Sequence, residues 1–243
     1  METKKAPVLR YQLRYVAAAF LLYILVSIPL YLHTMEFLYI NMVWNVFLAF
    51  LPLLFANMLI HGYSKWGYIR KWSIGILWLI FFPNAPYMIT DFIHISGYNF
   101  YLNREQYSQL ILSTNMTIWI RIVYIGLGMF MGILAGLLSL RMIHKVLRQC
   151  FNGLFTRFFL LAIFVLTGYG IFLGRFLRLN SWNIVHPHRI VLKMISTTSV
   201  FTIKITILYA FFICAIYIVF YLLCPVNIVV ETDQNVIIPS DKV

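Results

Sequence analysis

The chain has 243 residues, of which 62% are hydrophobic and 11% charged, and it carries a formal net charge of +12. A soluble domain has roughly 25% charged residues, so this composition excludes a soluble globular domain and places the chain in a bilayer. Its length suits one integral membrane domain over residues 1–243 and leaves no room for a separate soluble enzyme domain.

A membrane-crossing helix needs about 20 mainly apolar residues. Six stretches qualify, at about 13–33, 39–60, 72–90, 117–140, 156–175 and 198–223. The predicted fold is therefore all-α, a polytopic bundle of six transmembrane helices. The first span follows Lys4, Lys5, Arg10 and Arg14 and is longer than the apolar core of a signal peptide, with no small-residue cleavage site after it. It reads as an uncleaved span, joined to the second by a short turn around residues 33–38. The third span ends in Pro83 and Pro86. The fourth carries Gly128, Gly132 and Gly136, a spacing that lets helices approach closely in lipid.

Basic residues between spans set the orientation. Lys4, Lys5, Arg10, Arg14, Lys65, Arg70, Lys71, Arg141, Lys145, Arg148, Arg157 and Lys242 fall on one side. Arg104, Arg175, Arg178, Arg189 and Lys193 fall on the other. The majority side is read as cytoplasmic, with both termini there and the chain multi-pass in the cell membrane. The basic excess is read as orientation and contact with anionic lipid headgroups. No nucleic-acid module accompanies it. Arg121 and Lys204 lie within spans and are expected to snorkel to the outer surface, with a polar pocket as the alternative for Arg121. Cys150, Cys214 and Cys224 lack metal-type spacing, and no disulfide is expected.

Two polar clusters stand out, at the outer ends of the third and fifth spans. In the first, Pro83 and Pro86 each remove a backbone donor, and Asn84, Tyr87, Asp91 and His94 follow. If the helix resumes, Tyr87, Asp91 and His94 share a face. Such groups need protein partners or a water-filled cavity at membrane depth. Asp91 and His94 are the candidate catalytic pair, as a proton-transfer couple. The plainer reading is a helix end meeting water.

The second cluster is Arg175, Arg178, Asn180, Trp182 and Asn183. Two arginines at i, i+3 on one helical face repel unless an anion or a carboxylate lies between them, and guanidinium groups suit phosphate or carboxylate. The candidate ligand-binding residues are thus Asn84, Tyr87, Arg175, Arg178, Asn180 and Trp182. An Asp91–Arg175 or Asp91–Arg178 pair with no chemistry is the simplest structural use. Bulk lipid phosphate also satisfies such arginines. His186 and His188 add two imidazoles that with Asp91 and His94 could form a divalent-metal site of N and O ligands, but the spacing matches no recognised motif and no metal is assigned. No cofactor motif is present.

Three segments together resemble the integral membrane protein family known as domain of unknown function 1361, grouped as bacterial. They are residues 45–56 (Asn45 to Ala56), 82–94 (Phe82 to His94) and 174–182 (Gly174 to Trp182), with Gly136-Leu-Leu-Ser139 beside them. The resemblance runs from about residue 40 to 195 and implies a multi-span protein; it supplies no substrate. The family pattern places a carboxylate near Arg121 and another at the position of Asn183, and this sequence lacks both. That weakens a multi-carboxylate or metal reading and favours an anion held by the arginine pair. Three functions follow in order: an anion-binding site at the outer surface, with or without catalysis on a lipid-linked or phosphorylated substrate; a subunit that docks a partner membrane protein; and a small transporter.

Overall fold

The computed structural model describes residues 7–101, 111–178 and 196–224, and side chains from residue 14 onward. Among the described residues, seven α-helices and one 3-10 helix follow the order α1 (Pro7–Thr34), α2 (Leu38–Gly62), α3 (Tyr68–Phe81), α4 (Asn84–Tyr87), the 3-10 helix (Met88–Ile95), α5 (Met116–Cys150), α6 (Gly153–Arg175) and α7 (Val200–Leu223). Among the described residues there is no strand, only an isolated bridge between Tyr101 and Leu112. Six stretches of the described residues are long and apolar enough to cross a membrane, and α3, α4 and the 3-10 helix together make the third of them, Tyr68–Ile95. The protein is an all-α, multi-pass membrane protein.

The six spans match those expected, with one extension and one interruption. α5 continues to Cys150, ten residues past the expected end, because Arg141, Lys145 and Arg148 carry the helix beyond the apolar run. The third span does not end at its prolines. Pro83 and Pro86 break it, one α-turn follows, and an eight-residue 3-10 helix completes the crossing. Runs of 3-10 helix longer than three or four residues are uncommon, because their hydrogen bonds are poorer. This one is held by its surroundings. Met88 and Asp91 are buried, while Phe92, Ile93 and His94 are exposed.

Packing is closest where glycine removes a side chain. A Cβ on Gly132 would lie 2.7 Å from the Met88 Sδ, and one on Gly136 would lie 2.6 Å from the Ala85 Cβ. The glycine stripe of α5 is thus an intramolecular seat for the broken third span. Gly170 of α6 does the same for the proline, since its Cβ would meet Pro83 Cγ at 2.8 Å. Lipid tails are as apolar as leucine, so such close fit, not burial from water, holds membrane helices together. Two groups of buried residues result. One joins Leu53, Ile60, Trp78, Phe82, Leu140 and Ile163; the other joins Tyr23, Tyr39, Met42, Val46, Met88 and Tyr124. α2 packs most extensively on α5, and α6 on α7. Large apolar side chains on the outer faces, such as Leu22, Val123 and Phe211, are exposed as lipid-facing residues must be.

The two ends of the bundle differ in charge. Tyr63 Oη and Cys150 Sγ are 2.8 Å apart, which joins the α2–α3 connection to the α5–α6 turn. That end carries Lys65, Arg70, Lys71, Arg141, Lys145 and Arg148. The two carboxylates among the described residues, Glu36 and Asp91, lie toward the other end.

Candidate functional site

The break in the third span places a carboxylate inside the bundle. Pro83 cannot donate to residue 79, nor Pro86 to residue 82. The Phe82 carbonyl accepts the Ala85 N–H at 3.1 Å instead, and side chains engage neighbouring carbonyls. Asn84 Nδ2 donates to the Phe81 carbonyl at 2.8 Å, and Thr90 Oγ1 donates to the Tyr87 carbonyl at 2.7 Å. The 3-10 turn then brings Asp91 inward, where only 1% of it is exposed.

Asp91 receives a donor on each oxygen. Arg175 Nη2 donates to Oδ1 at 2.6 Å, and Asn45 Nδ2 donates to Oδ2 at 3.0 Å. Asn45 lies seven residues into α2, about 10 Å below its start, so this carboxylate sits within the span and not at a wet helix end. Arg175 is the last residue of α6. Its Nε donates to Thr90 Oγ1 at 2.8 Å, and its guanidinium lies 4.6 Å over the Tyr87 ring. Three residues of the broken span, Tyr87, Thr90 and Asp91, therefore fix one arginine. The arginine side chain remains 19% exposed.

His94 stands three residues from Asp91, and its Nε2 is 3.9 Å from Oδ1, with 45% of its side chain exposed. The resumed helix does not put Tyr87, Asp91 and His94 on one face. The 3-10 pitch aligns i and i+3, so Asp91 and His94 lie side by side, with Asp91 buried and His94 nearly half exposed.

Arg178 does not share a helical face with Arg175. α6 ends at Arg175, and Arg178 lies beyond it, exposed, with a left-handed backbone (φ 52°). The Asp91 partner is Arg175. Asn180, Trp182, Asn183, His186 and His188 lie outside the described residues. Among the described residues no three His, Cys, Asp or Glu side chains converge on a metal-sized site.

A second ion pair lies at the same end. Arg121 is 4% exposed and its Nη2 donates to Glu36, in the α1–α2 turn. Its guanidinium also lies 4.2 Å over the Tyr98 ring. The expectation that Arg121 snorkels is thus overturned: a carboxylate and a ring meet it in place. Lys204, in the first turns of α7, is exposed as snorkelling requires. Sequence reasoning missed Glu36, Asn45 and Thr90 as partners. The available signals were an asparagine inside an apolar run, which lipid does not satisfy, and a carboxylate beside a turn with a buried arginine to answer.

The family described as "Protein of unknown function (DUF1361)" matches residues 44–216, more than two thirds of the chain. That stretch contains Asn45, the broken third span, Arg121 and Arg175, and it leaves out α1 and Glu36. No curated protein and no solved structure matches the chain.

Proposed function

The chain belongs to the DUF1361 family, and we propose that it is a membrane-embedded binding protein that holds an anionic group at the outward-facing end of its bundle. The group is the phosphate or carboxylate of a lipid or lipid-linked molecule. The observation that carries this reading is Arg175, fixed by Tyr87, Thr90 and Asp91 yet 19% exposed. A guanidinium whose orientation is set by protein loses little freedom on binding and keeps its forked geometry for an oxyanion. Arg178, exposed just beyond it, adds a second cation at the rim.

In this reading Asp91 positions Arg175 and does not transfer protons. Both of its oxygens are engaged and it is 1% exposed, whereas a general base must reach its proton within hydrogen-bond distance. His94, with nearly half its side chain exposed, is the group at this site with access to a proton. The outward orientation is supported by the charge difference between the two ends of the bundle and by the positive-inside rule; in this reading both termini are cytoplasmic and the membrane is the cell membrane.

A second reading is favoured by the completeness of the Asp91 bonding: a charge lock inside a non-catalytic subunit that docks another membrane protein. Native mass spectrometry of the purified full-length protein separates the two. Bound anionic lipid that is lost in an Arg175→Gln/Arg178→Gln variant supports the binding site. Retention of that lipid in the variant overturns it, and a stoichiometric partner chain supports the subunit. Transport ranks last, because Asn41, Asn45 and Asn57 of α2 offer little polar route and Asn45 is engaged by Asp91.

A further inference from the structure

Two nitrogens share one carboxylate oxygen beside the break in the third span. Arg175 Nη2 lies 2.6 Å from Asp91 Oδ1, and His94 Nε2 lies 3.9 Å from the same atom. The two nitrogens can therefore be no farther apart than those distances laid end to end. Two charge-assisted hydrogen bonds of about 2.8 Å each, accepted by different oxygens of one phosphate, span that separation. At 3.9 Å the His94 contact is not a hydrogen bond, so Nε2 can donate to another acceptor while Asp91 stays buried behind it. Phe92 and Ile93, beside His94, and Phe176, next after Arg175, are exposed. Apolar side chains thus flank the two cations, as the acyl chains of a lipid require.

The charge at this place changes with one proton. With His94 neutral, Asp91, Arg175 and Arg178 sum to one positive charge; with His94 protonated they sum to two. A phosphate diester carries one negative charge. A phosphate monoester carries up to two and exchanges its second proton at about pH 6, within the range where histidine exchanges its own. A monoester can thus share one proton with His94, whichever of the two brought it, and a diester cannot. Among the described residues, the other charges at this end are Arg121 of α5, paired with Glu36, and Lys204 of α7, exposed one turn past the Phe201 ring that packs on Phe176. α2 brings the uncharged Asn45 to Asp91, and Tyr87 lies under the Arg175 guanidinium.

We propose that the group held at this site is the phosphate monoester of a lipid, bridged between Arg175 and His94, and that His94 selects it over a diester by sharing its proton. The proposal rests on the Arg175 reading above and names the ligand class and pH dependence of that site. His94 is then a specificity-determining residue and not a catalyst.

The test is lipid retention by the full-length protein in detergent, read by native mass spectrometry. The probes are phosphatidic acid, a monoester, and phosphatidylmethanol, a diester of nearly equal size, with matched acyl chains. Wild type at pH 6 is expected to retain phosphatidic acid about tenfold more tightly, the ratio that one charge-assisted hydrogen bond supplies. That retention should weaken towards pH 9, where the shared proton is lost. His94→Gln, an exchange at a half-exposed position, should abolish the preference. His94→Arg should retain phosphatidic acid without the pH dependence, which a purely structural role for His94 does not produce. Millimolar inorganic phosphate should leave the bound lipid in place; its displacement would overturn the lipid as carrier. Equal retention of the two lipids, both lost in Arg175→Gln/Arg178→Gln, would overturn the monoester assignment and leave the anion site standing. Retention of both lipids in that double variant would overturn the site itself. A preference unchanged by His94→Gln would overturn the role of His94.

Discussion

Arg175 donates to Asp91 at 2.6 Å across 84 positions of sequence, from the last residue of α6 to the inner face of a 3-10 helix. The two partners are not equivalent. Asp91 is 1% exposed and the Arg175 side chain is 19% exposed. An arginine at a helix end can swing to water or to a lipid phosphate when its partner is lost. A carboxylate inside the bundle has no such escape.

That asymmetry predicts which half of the pair matters more for stability. Arg175→Gln leaves Asp91 buried with Asn45 and the more distant His94 to answer it. The expected loss is about 3 kcal/mol, the low end of the range for breaking a buried pair, since one partner is partly exposed. Asp91→Asn is expected to cost clearly less, because Arg175 finds solvent. The double variant should recover part of the Arg175→Gln loss. Thermal unfolding of the four proteins in detergent gives the coupling energy. Equal losses for the two single variants would show that Asp91 reaches water by another route.

The glycine stripe predicts a position-dependent cost. At Gly136 an added Cβ meets Ala85 at 2.6 Å, and Ala85 sits on a one-turn helix that follows Pro83 and contains Pro86, with little freedom to retreat. Gly136→Val is expected to destabilise by about 1–3 kcal/mol, as overpacking does. Gly126, on the same helix, has nothing within 4 Å of its Cβ position. Gly126→Ala should be neutral, or stabilising by up to about 1 kcal/mol from helix propensity. Melting temperatures of the two variants check the contrast. A harmless Gly136→Val would mean that the third span is not seated on α5.

The spans were legible because each is a local property of about 20 residues, and so was the interruption, because proline acts on its own helix. The partners were not legible. Asp91 is expected to pair with an arginine, but Arg175 and Arg178 look alike in sequence. The choice follows from where α6 stops and from the left-handed backbone at Arg178. Arg121 reads as a snorkelling cation because hydropathy counts what lies along a helix. It cannot see Glu36, 85 positions away, turned toward it after the positive φ of Met35. Asn45 reads as a weak polar blemish until the 3-10 turn sets Asp91 beside it.

At the opposite end, burial and the contact with Cys150 push the Tyr63 phenol up to about 12. The proton is held more tightly in the folded protein than in the unfolded chain, whose tyrosines titrate near 10. Its contribution is therefore present in full below pH 10 and lost as pH rises through about 12. Between those values the junction of the α2–α3 connection with the α5–α6 turn should weaken. Tyr63→Phe should remove that part of the alkaline loss. Thermal unfolding of both proteins across this window, with the phenolate absorbance followed in parallel, checks the sign. An alkaline limb unchanged by Tyr63→Phe would assign it to other groups.

Orientation is the remaining premise of the proposed function, and the chain contains a probe for it. Cys150 is exposed at the basic end of the bundle. Ser96 is exposed one residue beyond the 3-10 helix, at the end that holds Asp91 and Arg175. With Cys214 and Cys224 replaced by alanine, a membrane-impermeant maleimide should leave Cys150 unlabelled in intact cells and label it after permeabilisation. In a Cys150→Ser background, Ser96→Cys should be labelled without permeabilisation. The basic end is expected to face inward because carrying Lys65, Arg70, Lys71, Arg141, Lys145 and Arg148 across the bilayer is disfavoured, whereas among the described residues the other end carries two carboxylates, each paired with an arginine. The reverse labelling pattern would turn the Arg175 site toward the cytoplasm. Its ligand would then have to come from the cytoplasmic leaflet or the cytosol.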